Sequence, residues 1–331
     1  MRCAIIGAGA WGTALADLLA RNGHAVALWA REAEVVASVN ATHENTMFLA
    51  GAKLHDGIVA CGDLERACTD AELVLFATPS HVLRGIARDA APAVSNDATI
   101  VVATKGVERD TLAVMSDVLA QQMPSHAIVA LSGPSFAAEV VARQPTAVVA
   151  ASSSGSAAEM VQRALSGDEF RVYTHDDVIG VELGGSLKNV IAVATGIAEG
   201  LGMGFNARAA LITRGLAEMT RLGVKMGASP LTFAGLAGMG DLVLTCTGAL
   251  SRNRSLGVEI ARGVSLDEAL ATRHTVAEGV MTTHSARALA AREGIEMPIV
   301  SAVYRILFEH QPPRAAIGEL MRRELRAEGD T

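Results

Sequence analysis

From the start of the chain to about residue 175, short aliphatic runs alternate with segments of helical length. The runs CAIIG, HAVALWA, GIVAC, ELVLFAT, TIVVAT, AIVALS, TAVVAA and FRVYTH predict eight strands. Most are apolar throughout, as strands are when helices cover both faces of a mostly parallel sheet. Between them, leucines at helical spacing in Leu15–Leu19 and across Leu112–Leu119 predict helices packed on that sheet. After about residue 178 the strand signal fades, and Ala, Leu, Gly, Met and Arg fill long segments punctuated by glycine-rich turns. The pattern predicts an α/β domain over 1–178 and an all-helical domain over 179–331. The serine-rich stretch Ala151 to Ala158 is not the boundary, because FRVYTH follows it.

Composition narrows the function classes. Half of the 331 residues are hydrophobic but only 3% are aromatic, so an aliphatic core is expected and wholesale disorder is excluded. The 28 Lys and Arg residues stand against 35 Asp and Glu, a formal charge of -7 that argues against nucleic-acid binding. Any phosphate site must therefore be a local concentration of positive charge. Four scattered cysteines without a CxxC pair suggest neither zinc nor a disulfide framework and point to a reducing, cytoplasmic setting. The nine histidines lack metal-ligand spacing, so no metal is expected; His81, near a strand end, is the histidine of interest. Glycines interrupt the apolar start and Asp17 ends it, unlike a secretory leader. No uncharged run reaches the roughly 18 residues that span a bilayer, so membrane insertion is not expected.

Candidate chemistry begins at Gly7-Ala8-Gly9-Ala10-Trp11-Gly12, which follows the first predicted strand and opens a helix. In that context the glycines form a dinucleotide-binding turn and make the first domain Rossmann-like: Gly7 for the tight turn, Gly9 for close approach of a pyrophosphate, Gly12 for helix packing. The second strand ends in Arg31 rather than an acid, which favours a 2'-phosphate and hence NADP(H), with NAD(H) also accepted. Arg31 also reads as a solvated cation, and Glu32 as a ribose partner. Ligands of open α/β sheets lie beyond the carboxyl ends of the strands. There the chain places Thr78-Pro79-Ser80-His81, Lys105-Gly106 and Ser132-Gly133-Pro134-Ser135-Phe136. Lys105 reads as a site cation or a surface lysine, and Ser135 as a ligand contact or a helix cap.

In the helical half, VELGGSLKNVIAVATGIA carries one basic residue, Lys188, with Gly184 and Gly185 one turn earlier. The glycines would bare the helix beside the amine and leave room for a small substrate, with Asn189 orienting it; a lysine snorkelling from an apolar helix is the alternative. Were Lys188 and Lys105 to share a crevice, burial and repulsion would weaken the hold of each amine on its proton, as lysine acid/base chemistry requires. Ser251-Arg252-Asn253-Arg254 offers two guanidiniums for a phosphate, or a solvated basic loop. Asp241 either anchors a cation or caps a helix.

Taken together, GAGAWGTALA, ATPSHVLR, ATKG, LSGPSFAAEV, GGSLKNVIAVATGI, AGMGDLVLTC, SRNRSLG and AEGV resemble, in order, the bacterial-type NAD(P)-dependent glycerol-3-phosphate dehydrogenases. The resemblance implies reversible hydride transfer between NAD(P)H and dihydroxyacetone phosphate, giving sn-glycerol 3-phosphate for glycerophospholipid synthesis. It implies that Trp11 and Arg31 contact the cofactor, and that Gly133, Ser135 and Ala137 line the cofactor and substrate crevice. Lys105 would touch both ligands and Lys188 would donate or accept the proton. Asp241, Ser251, Arg252 and Asn253 would meet the substrate, Arg252 also reaching the cofactor, and Val276 and Glu278 would close over the nicotinamide. A homodimer is the candidate assembly. Met47-Phe48-Leu49-Ala50-Gly51 departs from the family's Tyr-Leu-Pro-Gly pattern and offers no tyrosine hydroxyl there; Ala277 is a second departure. The alternatives are a related two-domain hydroxy-acid or sugar-acid dehydrogenase and a non-catalytic dinucleotide sensor.

Overall fold

The computed structural model describes residues 1–271, 278–325 and 327. Among them lies one eight-stranded sheet: β1 (Arg2–Ile6), β2 (Ala25–Trp29), β3 (Ile58–Cys61), β4 (Leu73–Phe76), β5 (Thr99–Val102), β6 (Ile128–Ser132), β7 (Thr146–Ala151) and β8 (Phe170–His175). Its order is β3-β2-β1-β4-β5-β6-β7-β8, and every pairing is parallel except β6 with β7. All eight strands fall on the aliphatic runs of the sequence. Every residue of β4 and β5 is buried, as expected of strands covered on both faces. Ile6 at the end of β1 faces Trp29 on one side and Phe76 on the other, so the strand order reverses direction at β1. That reversal is where open α/β sheets bind ligands.

The chain divides into two units, Met1–Lys105 with Ala113–Val178, and Gly106–Leu112 with Ile179–Thr331. The segment Gly106–Leu112 thus groups with the helices, although it lies inside the stretch that the hydropathy pattern assigns to the sheet domain. Nor does a helix run from Leu112 to Leu119: Leu112 has φ 57°, a left-handed conformation that a side-chain-bearing residue does not propagate, and the helix begins at Met115.

In the second unit the helix Val178–Gly200 is buried continuously from Gly180 to Ala198. It is long and apolar enough to cross a membrane by composition, but 89% of that apolar window is buried inside the molecule, which makes it a core helix. Other helices approach it closely. A Cβ at Gly196 would lie 2.0 Å from the Arg254 carbonyl oxygen, and one at Gly257 would lie 2.2 Å from that of Val193. These two glycines therefore let the helix Arg252–Ala261 cross the buried helix backbone to backbone.

Glu218, in the helix Phe205–Lys225, is 3% exposed and accepts hydrogen bonds from the N–H groups of Ile299 (2.7 Å) and Val300 (3.3 Å), in the first turn of the helix Pro298–Phe308. Burial outweighs those bonds and pushes its carboxyl up to about 7. A raised folded-state value means that the unfolded chain releases this proton first, so stability falls as pH rises from the ordinary carboxyl range towards about 7 and then levels off. Thermal unfolding followed between about pH 5 and about pH 8 is expected to show a loss approaching 3 kcal/mol from this group. Glu218→Gln is expected to flatten that slope. An unchanged slope in the variant would assign the pH dependence elsewhere.

Candidate active site

The turn after β1 gives each of its three glycines a separate duty. Gly7 has φ 114°, and a Cβ there would lie 2.9 Å from the Ala77 carbonyl oxygen; its N–H donates to Trp29 (3.1 Å). At Gly12 a Cβ would come within 1.9 Å of the Gly7 carbonyl oxygen, so the helix Ala10–Arg21 can press on the turn only without a side chain. At Gly9 a Cβ would meet nothing within 4 Å. Gly9 is the N-cap of that helix and no side chain caps it, leaving the positive helix end directed at open space. Three buried polar atoms at the strand ends and the first helical turn, Trp11 Nε1, Thr78 Oγ1 and Ser132 Oγ, have no hydrogen-bond partner among the described residues. An open glycine, an uncapped helix end and these polar atoms fit a pyrophosphate-bearing ligand.

Beyond β2, Arg31 and Glu32 bond to each other: the Arg31 guanidinium donates to Glu32 Oε1 at 2.8 and 3.1 Å, with the Arg31 side chain 80% exposed. Beyond β5 and β6, Lys105 Nζ and Ser135 Oγ both donate to the Gly133 carbonyl, at 3.3 and 3.0 Å. Ser135 therefore does not cap the next helix; Phe136 occupies the N-cap of Ala137–Val141 and no side chain caps it. Gly133 has φ 140°, and a Cβ there would lie 2.9 Å from Val148 Cα, so packing on β7 also demands a glycine. Ala137 is half-buried against the core of this unit, and His81 is exposed.

In the second unit Lys188 is 7% exposed. Its ammonium bonds to the Asp241 carboxylate and donates to Thr245 Oγ1 (2.8 Å), which in turn donates to the Asp241 backbone carbonyl (2.7 Å). The amine is held inside the fold and does not snorkel to solvent. Asp241, 1% exposed, opens the helix Asp241–Thr247, and of its two candidate roles it takes that of the lysine's anchor. Residues 241 and 245 are one turn apart on one helix face, so both reach the same amine. A π-helical turn, Leu236–Gly240, leads into Asp241. Its backbone seats on Gly184, where a Cβ would lie 2.5 Å from the Ala237 carbonyl oxygen. Gly184 thus makes room for a neighbouring backbone rather than for a substrate.

The basic cluster also divides. Arg254 bonds to both carboxylate oxygens of Glu199 (2.7 and 2.6 Å) and to the Gly248 carbonyl (3.1 Å), and this pairing holds the Glu199 carboxyl below its usual range. It is a structural arginine, not half of a phosphate clamp. Arg252 is exposed at the first turn of its helix, which Ser251 caps by accepting from the Arg254 N–H (3.2 Å). Asn253 donates to Asn189 Oδ1 (2.9 Å) and accepts from the Gly279 N–H (3.0 Å), tying the start of the helix Glu278–Glu293 to the buried helix. Glu278 is half-buried at that start; Val276 lies outside the described residues.

The sequence reading missed three contributors. Thr245 lay one helical turn from Asp241 and was legible by spacing. Ser186, 1% exposed, accepts from the Gly106 N–H (2.8 Å) and donates to the Gly106 carbonyl (3.1 Å), just after Lys105. Asn45, 37 positions from the glycine turn, bonds to it directly.

A dinucleotide turn at the reversal of a parallel sheet, joined to a helical unit that buries a paired lysine, is the division of labour of a two-unit dinucleotide-dependent dehydrogenase. Family comparison narrows the class. Residues 2–158 match the NAD-dependent glycerol-3-phosphate dehydrogenase N-terminus and residues 177–318 the corresponding C-terminus, and the chain belongs to that family. It is 54% identical over 331 residues to a glycerol-3-phosphate dehydrogenase [NAD(P)+] of Geobacter sp. (strain M21), covering 99% of each chain. A protein of the same name from Myxococcus xanthus (strain DK1622) is 49% identical, again over 99% of each. The crystal structure of glycerol-3-phosphate dehydrogenase from Coxiella burnetii superposes with a TM-score of 0.94 at 41% identity, covering 97% of this chain and 99% of that one. Because the match runs through the helical unit, the other dehydrogenase classes and the sensor are not favoured.

Proposed function

We propose that the protein is an NAD(P)-dependent sn-glycerol-3-phosphate dehydrogenase, reducing dihydroxyacetone phosphate with NAD(P)H and one proton to sn-glycerol 3-phosphate and NAD(P)+. The observation that carries this reading is the buried Lys188 held by Asp241 and Thr245 inside the family-matched second unit. The cofactor, when bound, supplies hydride to C2 of the ketone. Gly7, Gly9, Ala10, Trp11 and Gly12 hold its pyrophosphate end, with Arg31 at the adenosine phosphate and Ala137 and Glu278 completing its site; Val276 joins them by resemblance alone. Lys188, as ammonium, gives a proton to the ketone oxygen and in reverse takes it back. Asp241 and Thr245 fix that amine in place. Lys105 brings a second positive charge to the same oxygen, beside Gly133 and Ser135. Arg252, with Ser251 and Asn253 behind it, takes the substrate phosphate. No side chain forms a covalent bond.

The test is the absorbance of NADPH on mixing with protein and dihydroxyacetone phosphate, repeated with NADH. Substrate-dependent oxidation is expected with both, and none with either cofactor would end the proposal. Arg31→Asp is expected to weaken NADPH binding about tenfold or more and NADH binding far less, because a guanidinium facing the 2'-phosphate is replaced by a like charge. Equal changes in the two dissociation constants would remove Arg31 from the adenosine site. We propose a cytoplasmic enzyme that feeds glycerophospholipid synthesis, with a homodimer as the assembly to test.

A further inference from the structure

The dinucleotide turn does not hold its own shape. Asn45 lies in the segment after the helix Ala33–Thr42, is 0% exposed, and reaches the turn with its side-chain amide. Its Nδ2 donates to the Ala8 carbonyl (2.8 Å) and to Thr13 Oγ1 (2.8 Å), and Thr13 Oγ1 donates to the same carbonyl (3.2 Å). Its Oδ1 accepts from the Phe48 N–H (3.0 Å). Asn45 thereby ties this segment to the turn.

The consequence for the ligand follows from peptide geometry. The Ala8–Gly9 peptide is trans, so its N–H points opposite to its C=O. Two donors on the protein side fix the Ala8 carbonyl and thereby aim the Gly9 N–H the opposite way, at a residue where an added Cβ would also meet nothing within 4 Å. We infer that Asn45, with Thr13, is a positioning residue for the cofactor: it sets the Ala8–Gly9 peptide so that Gly9 presents its N–H to the pyrophosphate. Every dinucleotide shares that group, so Asn45 governs affinity for NADPH and NADH alike, whereas Arg31 separates them. The inference rests on reading the glycine turn as the cofactor site.

Asn45→Asp keeps the shape but sets a carboxylate oxygen against the Ala8 carbonyl, which favours rotation of that peptide. Titration of NADPH and NADH fluorescence with the full chain is expected to give dissociation constants raised about tenfold or more for both, in nearly equal ratio, with kcat at saturating cofactor within about twofold of the parent. Thr13→Val is expected to weaken both cofactors in the same way and Thr13→Ser to restore them, and this pair carries the test if Asn45→Asp fails to fold. Gly9→Val, whose side chain fills the open space, is the control. If it abolishes binding while Asn45→Asp and Thr13→Val change only the melting temperature, Asn45 is structural and the inference is overturned. If Gly9→Val also binds both cofactors normally, the cofactor lies elsewhere and the reading of the turn fails with it.

Discussion

Lys188→Ala is expected to lower kcat for dihydroxyacetone phosphate reduction by about a hundredfold or more, while the dissociation constant for NADPH stays within about twofold of the parent. The expectation comes from where the amine sits. Lys188 is 7% exposed, on a helix buried for most of its length, and Asp241 and Thr245 hold its nitrogen in one place. A proton donor so fixed loses little entropy on the way to the transition state. Alanine removes the proton and leaves the Asp241 carboxylate buried without its cation, a change of the kind that costs about 3 to 5 kcal/mol of stability. The melting temperature should therefore fall too. Lys188→Met keeps more of the buried volume, and Lys188→Met with Asp241→Asn removes the stranded charge. If the double variant regains stability while kcat stays low, chemistry is separated from folding. An undiminished kcat in a folded Lys188 variant would remove the lysine from proton transfer.

Arg252→Ala is expected to raise KM for dihydroxyacetone phosphate about tenfold to a hundredfold, in keeping with loss of charge-assisted hydrogen bonds to a phosphate dianion. The preference over unphosphorylated dihydroxyacetone should shrink by the same factor. Arg254→Ala, two residues on, should behave differently. Its guanidinium is committed to Glu199 and the Gly248 carbonyl, so its loss should lower the melting temperature and leave the substrate preference largely intact. A retained preference in Arg252→Ala, or its loss in Arg254→Ala alone, would exchange the two assignments.

The eight strands were readable because each is a short aliphatic run between polar turns, and burial on two faces leaves few other uses for such runs. The glycine turn was readable because Gly7 and Gly12 are demanded by backbone contacts that no other residue tolerates. What composition and spacing do not carry is the partner. Arg252 and Arg254 look alike in sequence, yet only the fold brings Glu199 to one of them. Gly184 resembles space for a substrate until the Ala237 carbonyl is seen against it. Ser135 has the chemistry of a helix cap but turns back to Gly133. Asn45 sits in a segment without periodicity, and nothing local marks it as the brace of a turn 37 positions away. Thr245 is the exception, since its distance of four residues from Asp241 already placed both on one helix face.

The most direct test is to reduce dihydroxyacetone phosphate with NADPH carrying deuterium at both C4 positions of the nicotinamide and locate the label in the product. The expected product is sn-glycerol 3-phosphate with a single deuterium at C2 and a hydroxyl proton taken from solvent. Unlabelled product, or cofactor left unoxidised in the presence of the ketone, would contradict it.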